Sequence, residues 1–243
     1  MFPVLSRAAT AALPTVDAKP ELATANEEMM QADAIEVLPR RRHLAVREEL
    51  RASQEGRLIC AVADSVAAKG YAETSVADII GLAGVSRKTF YEYFDGKEAC
   101  FLASYDTGAA AIYNAMVEAA DGLRGWREIL DAVLSTWLEF LQADLAFTRA
   151  YMIEFWAAGD AARERWKQRR DRTAGLLKVL HDMAREEDPA IVPVSDTLIA
   201  AVVGGINRVV ISHLLSGSIE PLTDLKPEMV RFITMTLATH EQP

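Results

Sequence analysis

Apolar residues recur at helical spacing along most of the chain. Between residues 44 and 69, Leu58, Ile59, Val62, Ala63, Val66 and Ala67 follow i, i+3 and i+4 steps and share one face, which predicts a helix. Gly70 suits its end, because glycine accepts the left-handed conformation there. Ser75-Val76-Ala77-Asp78 has the form of a capping box with Asp in place of Glu, and predicts a short helix to Ala83. Gly84-Val85 then makes a tight turn, and Ser86 caps a third helix with Phe90 and Phe94 facing inward. Asp95-Gly96 closes it. Further amphipathic runs cover residues 97–120, 126–142, 145–158, 161–186, 196–216 (capped by Ser195) and 227–240, where Pro227 occupies an allowed early position. Prolines between 188 and 193 and a Ser-Gly-Ser stretch near 217 punctuate loops. No strand run or internal repeat stands out. The expected class is all-α, with about nine helices.

Residues 1–38 mix Ala, Thr, Pro and acids without sustained period, and read as a disordered or weakly helical tail. Met29 and Met30 leave a downstream start open. The 243 residues favour one or two domains, and 51% hydrophobic residues suffice for a sizeable core. The net charge of −9 argues at first against a nucleic-acid partner, but its placement matters more. Residues 1–39 hold 2 Lys+Arg against 6 Asp+Glu, residues 40–97 hold 10 against 8, and residues 98–243 hold 14 against 21. Only the middle stretch is net positive. Cys60 and Cys100 lack CxxC spacing, so neither a disulfide scaffold nor a zinc site is supported, and both fit a reducing, cytoplasmic setting. The most apolar window, 198–215, is broken by Asn207, Arg208 and His213, which argues against a membrane partner. Arg7 interrupts any signal-peptide core at the start.

Two short helices joined by a glycine turn describe a helix-turn-helix, in which residues 76–83 brace residues 87–94 so that the latter's first turn can enter the major groove. Arg57-Leu58-Ile59, Gly70-Tyr71, Thr74-Ser75-Val76, Asp78-Ile79-Ile80, Ala83-Gly84-Val85-Ser86, Lys88-Thr89-Phe90-Tyr91, Tyr93-Phe94 and Lys97-Glu98 follow at consistent spacing. This stretch resembles the amino-terminal signature of TetR/AcrR-family transcriptional regulators. The resemblance implies a homodimer with a helix-turn-helix DNA-binding domain at 40–97, a helical effector-binding and dimerisation domain at 98–243, and the tail at 1–39. It also implies that Arg87, Lys88 and Thr89 read bases, that Tyr91 and Lys97 hold phosphate, and that Tyr93 contributes at the same surface. Thr74, Ser75 and Ser86 complete the candidate DNA-binding set. The chemistry is consistent: Arg pairs with guanine O6 and N7, Thr can touch a thymine methyl, and Tyr and Lys suit phosphate oxygens. Glu92 sits awkwardly on that side, either accepting from cytosine or pointing into solvent.

Plainer readings stand beside these. The basic run Arg40–Arg42 is a minor-groove arm or a solvated helix start. Tyr113, Trp137, Phe147, Tyr151, Met152 and Phe155 line an effector pocket or belong to an ordinary core, and Arg149 and Glu154 anchor a ligand or pair on the surface. Gly204 and Gly205 allow close helix approach, so Val202, Gly205, Ile206, Val209, His213, Ile233 and Leu237 are expected at a dimer seam, which the resemblance supports. The charged stretch 163–172 reads as a solvent face. His43, His181, His213 and His240 are not spaced as metal ligands, and no GxGxxG, phosphate loop, GxSxG or HExxH occurs, so no metal, no cofactor and no catalysis are expected. The expected function is a sequence-specific DNA-binding regulator, a repressor by family habit, released from double-stranded operator DNA by a small, largely apolar effector. The alternatives are a helical enzyme or carrier using the body cavity, and an architectural DNA-binding protein.

Overall fold

A computed structural model describes residues 39–240; the expectations for the tail and for Met29 and Met30 fall outside it, as do the side chains of Arg40–Arg42. The described helices are α1 (Pro39–Ala52), α2 (Gln54–Lys69), α3 (Val76–Ala83), α4 (Arg87–Tyr93), α5 (Lys97–Ala120), α6 (Trp126–Ala143), α7 (Leu145–Met152), α8 (Asp160–Glu187), α9 (Asp196–Ser216) and α10 (Lys226–Leu237). Short 3-10 turns follow α7 at Glu154–Ala158 and precede α10 at Leu222–Leu225. Among the described residues the one β-type pairing is an isolated bridge between Ile191 and His240.

The helix expected across 44–69 is two helices. Ser53 caps α2 by accepting from the Gly56 N–H at 2.9 Å, so the chain turns there. The turn brings Gly56 against the Leu50 carbonyl so closely that an added Cβ would lie 1.7 Å from that oxygen. The second difference is at 145–158, where α7 stops at Met152 and the chain tightens into 3-10 geometry. The remaining helices begin and end within a few residues of expectation.

Helix α2 is the axis of the amino-terminal half. Leu58, Val62 and Val66 are fully buried along it, and α1, α3, α5 and α7 all pack on it. One buried cluster runs from Leu58 and Phe90 through Phe101 and Tyr105 to Tyr151 and Phe155. The segment expected to bind DNA and the helical body therefore share a core across position 97. Helix α1 reinforces the join, since it packs on both α2 and α6. Its Arg47 guanidinium donates to both Asp64 oxygens at 2.8 Å and to Asp144, the N-cap of α7. Burial works against that charge, but hydrogen bonds and field from the two carboxylates outweigh it and hold the guanidinium ionised.

Candidate nucleic-acid interface

The local chemistry of α3 and α4 is as the sequence dictates. Ser75 accepts from the Asp78 N–H while Asp78 accepts from the Ser75 N–H at 2.8 Å, so both arms of the capping box close. The Asp78 carboxyl also meets Lys69 at 2.6 Å, and these hydrogen bonds hold its pKa well below the usual carboxylate range. Gly84 ends α3 at φ 65°, ψ 38°, the left-handed conformation that admits glycine without strain. Arg57 from α2 donates to the Ala83 carbonyl at 3.0 Å, fixing the end of α3. Ser86 then caps α4 by accepting from the Thr89 N–H at 3.0 Å.

Helix α4 has two sides. Phe90 is fully buried and Phe94 is 7% exposed, so the inner side is core. The outer side presents Arg87, Lys88, Tyr91 and Tyr93 to solvent. Lys88 and Glu92 approach to 3.7 Å one turn apart, with both side chains largely in water. Glu92 thus acts as a loose partner of Lys88 on the exposed strip.

The other candidates sit differently. The hydroxyls of Ser75, Ser86 and Thr89 are engaged locally, Ser75 with Asp78 and Ser86 with Thr89 at 2.9 Å. Thr74 is buried, and its hydroxyl donates to the Gly70 carbonyl at 2.8 Å. It belongs to the frame of the turn and not to its outer surface. Lys97 is partly exposed, donates to the Tyr71 carbonyl at 2.7 Å, and lies 4.3 Å from the Tyr71 ring centroid. The same turn is held from the other side by Glu154, which accepts from the Tyr71 N–H at 3.1 Å. Glu154 is therefore a link between the body and the helix-turn-helix, a role that no local pattern announces. Arg149 donates to the Leu214 carbonyl at 3.0 Å and ties α7 to α9.

The structure brings together only some of the expected pocket residues. Phe147, Tyr151 and Phe155 join in ring contacts, with Tyr151 4.5 Å from Phe147 and stacked 4.9 Å from Phe101. Met152 is buried beside the Arg169 guanidinium. Among the described residues Tyr113 and Trp137 make no ring contact with this group, and Tyr113 lies under Arg172. Phe147 lines a cavity of about 20 Å³ that is also bounded by Arg47, Ser104 and Gly108. That is room for one water, far below the several hundred Å³ that enclose a typical ligand.

The expected dimer seam divides. Val202, Ile206, Ile233 and Leu237 are buried within the chain and pack its core. The outward face instead carries Leu198, Val209, Phe232 and Met235, exposed by 43–65%, with Gly205 under the Phe232 ring. His213 closes the loop after α9 through the Glu220 carbonyl at 2.8 Å. His181 is buried between the Leu237 carbonyl and the Val194 N–H, where it tethers α8 to both following segments.

Residues 59–104 match the family described as bacterial regulatory proteins, tetR family. That stretch, which spans α2 to the start of α5, is similar to the family's amino-terminal domain, with α3 and α4 as its helix-turn-helix. Solved structures of the same fold include the fatty acid degradation regulator FadR from Bacillus halodurans, at 18% identity and TM-score 0.70, covering 77% of this chain and 97% of that one. FadR from Bacillus subtilis in complex with stearoyl-CoA follows at 18% identity and TM-score 0.67, covering 76% and 98%. A TetR-like transcriptional regulator from Rhodococcus sp. RHA1 is 24% identical at TM-score 0.58, covering 74% and 94%. A search of curated proteins finds no match.

Proposed function

We propose that the protein is a homodimeric, operator-binding repressor that leaves double-stranded DNA when a small, largely apolar effector enters its helical body. The observation that carries the reading is the two-sided α4, which seats Phe90 and Phe94 in the core while Arg87, Lys88 and Tyr91 face solvent. Arg87 opens the helix, where a side chain reaches base edges, and it would pair with guanine. Tyr91, Tyr93 and Lys97 would hold phosphates, Lys97 with the hydrogen that the Tyr71 and Ala72 carbonyls leave spare. The exposed apolar face of α9 and α10 is the dimer seam, and pairing there would set two copies of α4 one helical turn of DNA apart, about 34–36 Å.

Two ties to the 70–72 turn support a coupling between body and DNA. Lys97 opens the long helix α5, and Glu154 follows α7, so a shift of either helix reorients the reading helices. For the effector, the aromatic interior and the stearoyl-CoA held by the Bacillus subtilis protein of like fold both favour a long acyl chain. The body is closed around its aromatic rings, so the effector must part them on entry.

DNA selected by the protein from a random pool tests the reading. A recovered inverted repeat, bound with a steep inverse salt dependence and released by an acyl ligand, is the expected outcome. Binding to no duplex, or equal binding to all sequences, would overturn it.

A further inference from the structure

The first half of α8 carries a series of arginines, most with an evident partner. Arg163 pairs with Asp160, Arg165 with Asp106 at 2.9 Å and Arg170 with Asp171 at 3.1 Å, while Arg172 lies over the Tyr113 ring. Arg169 differs. It is partly buried, meets no carboxylate among the described residues, and donates to the Asn207 side-chain oxygen at 3.0 Å with the Met152 sulfur 4.0 Å away. Asn207 is the one polar residue on the buried side of α9, and its amide is oriented by a 2.7 Å bond to the Val203 carbonyl. Tyr105 of α5 has a hydroxyl that is buried without a hydrogen-bond partner. Burial raises that phenol's pKa, and the Arg169 guanidinium acts against the rise, which places the two groups within each other's field.

A guanidinium partly withdrawn from water without a carboxylate partner, and a buried hydroxyl with no well-formed hydrogen bond, are both costs that an oxygen-bearing ligand would reduce. The surroundings are apolar: the Tyr105 ring stacks on Phe155 at 4.1 Å and lies 5.7 Å from Tyr151. Apolar walls with polar groups converging at one place suit a ligand with a long apolar part and oxygens at one end. We infer that Arg169, Asn207 and Tyr105 form the polar anchor of the effector site, and that the site takes the terminal acyl oxygens of a long-chain fatty acid or of its thioester. The inference rests on the reading of the body as effector-binding. Entry separates α8 from the Tyr105–Phe155 stack, and Phe155 adjoins Glu154, which holds the 70–72 turn through the Tyr71 N–H.

The test titrates the full chain with stearate, stearoyl-CoA and CoA alone, following tryptophan fluorescence. The wild type should bind one or both acyl probes and bind CoA alone at least tenfold more weakly; which acyl probe binds identifies the source. Arg169→Met should weaken acyl binding tenfold or more, Tyr105→Phe several-fold, and Arg169→Lys should restore part of what Arg169→Met loses. Arg163→Met, on the exposed side of α8, should bind as the wild type. Absence of acyl binding, unchanged affinity in Arg169→Met with an unaltered melting curve, or equal binding of CoA alone would each overturn the assignment. If Arg169→Met fails to fold, Tyr105→Phe and Arg169→Lys decide, and wild-type affinity in both overturns it. Sequence-specific DNA binding without acyl binding would sink this site and leave the repressor reading standing, whereas Arg169-dependent acyl binding without DNA binding would do the opposite.

Discussion

Arg87 opens α4 in solvent, while three residues later Phe90 is sealed in the core. Arg87→Ala should weaken specific operator binding by about 1–3 kcal/mol and relax one operator position, whereas Tyr91→Phe should weaken all sequences alike. Binding to a panel of single-base operator variants separates the two. Lys97 carries an additional load, because its ammonium holds the Tyr71 carbonyl. Lys97→Ala should therefore lower the melting temperature as well as DNA affinity, with about 1.5–3 kcal/mol at stake for a hydrogen bond from a charged group. The capping carboxylate of Asp78 predicts a pH effect. Its pKa is depressed by hydrogen bonds from Lys69 and Ser75, so its contribution is present in full above the ordinary carboxylate range and is lost as pH falls through the depressed value. Acid unfolding monitored by circular dichroism should lose that component in Asp78→Asn, whose stability changes less with pH below 4.

Two glycines report how tightly the helices meet. A Cβ at Gly108 would lie 2.0 Å from the Phe147 ring, so Gly108→Ala must displace that ring and should cost about 1–3 kcal/mol in thermal unfolding. At Gly56 the obstacle is the Leu50 backbone, which has no rotamer with which to yield. There the substitution should release α1 from α2, visible as faster amide exchange along α1. The electrostatic counterpart is Arg47, which joins α1 to Asp64 of α2 and Asp144 of α7. Removing one partner from a buried ion pair costs up to about 3–5 kcal/mol, less here because Asp64 keeps 30% of its side chain in water.

The two apolar faces of α9 have separate fates. Its inner residues pack against α8 and α10, while Leu198 and Val209 remain outward with Phe232 and Met235 of α10. Helix α9 is long and apolar enough to cross a membrane by length and composition alone, yet its inner side is part of the core. Charge on the outer face should separate two copies without unfolding either. Val209→Glu should sediment at half the wild-type mass and bind operator far more weakly, with an unchanged helical spectrum. Linkage adds a constraint: if effector lowers operator affinity, operator must lower effector affinity by the same factor.

What the linear chain determined is local. The Ser75–Asp78 box, the Gly84 turn, the Ser86 cap and the Phe90–Phe94 spacing act within a few residues, so spacing sufficed to define the helix-turn-helix and to carry the resemblance of this stretch to the tetR family. The break at Ser53 had a local sign in its cap, but Gly56 owes its place to a contact with Leu50 that periodicity does not encode. Helix α9 is apolar on nearly every side, so its pattern could not separate the core-facing Val202 and Ile206 from the outward Leu198 and Val209. Thr74 and Lys97 lie in the signature, yet their hydrogen bonds to Gly70 and Tyr71 depend on how the turn folds back. Glu154 with Tyr71, and Arg169 with Asn207 and Tyr105, meet across 38 to 83 positions of chain. Only packing determines such meetings, because burial and electrostatic pairing act through space while sequence pattern reports on the nearest few turns.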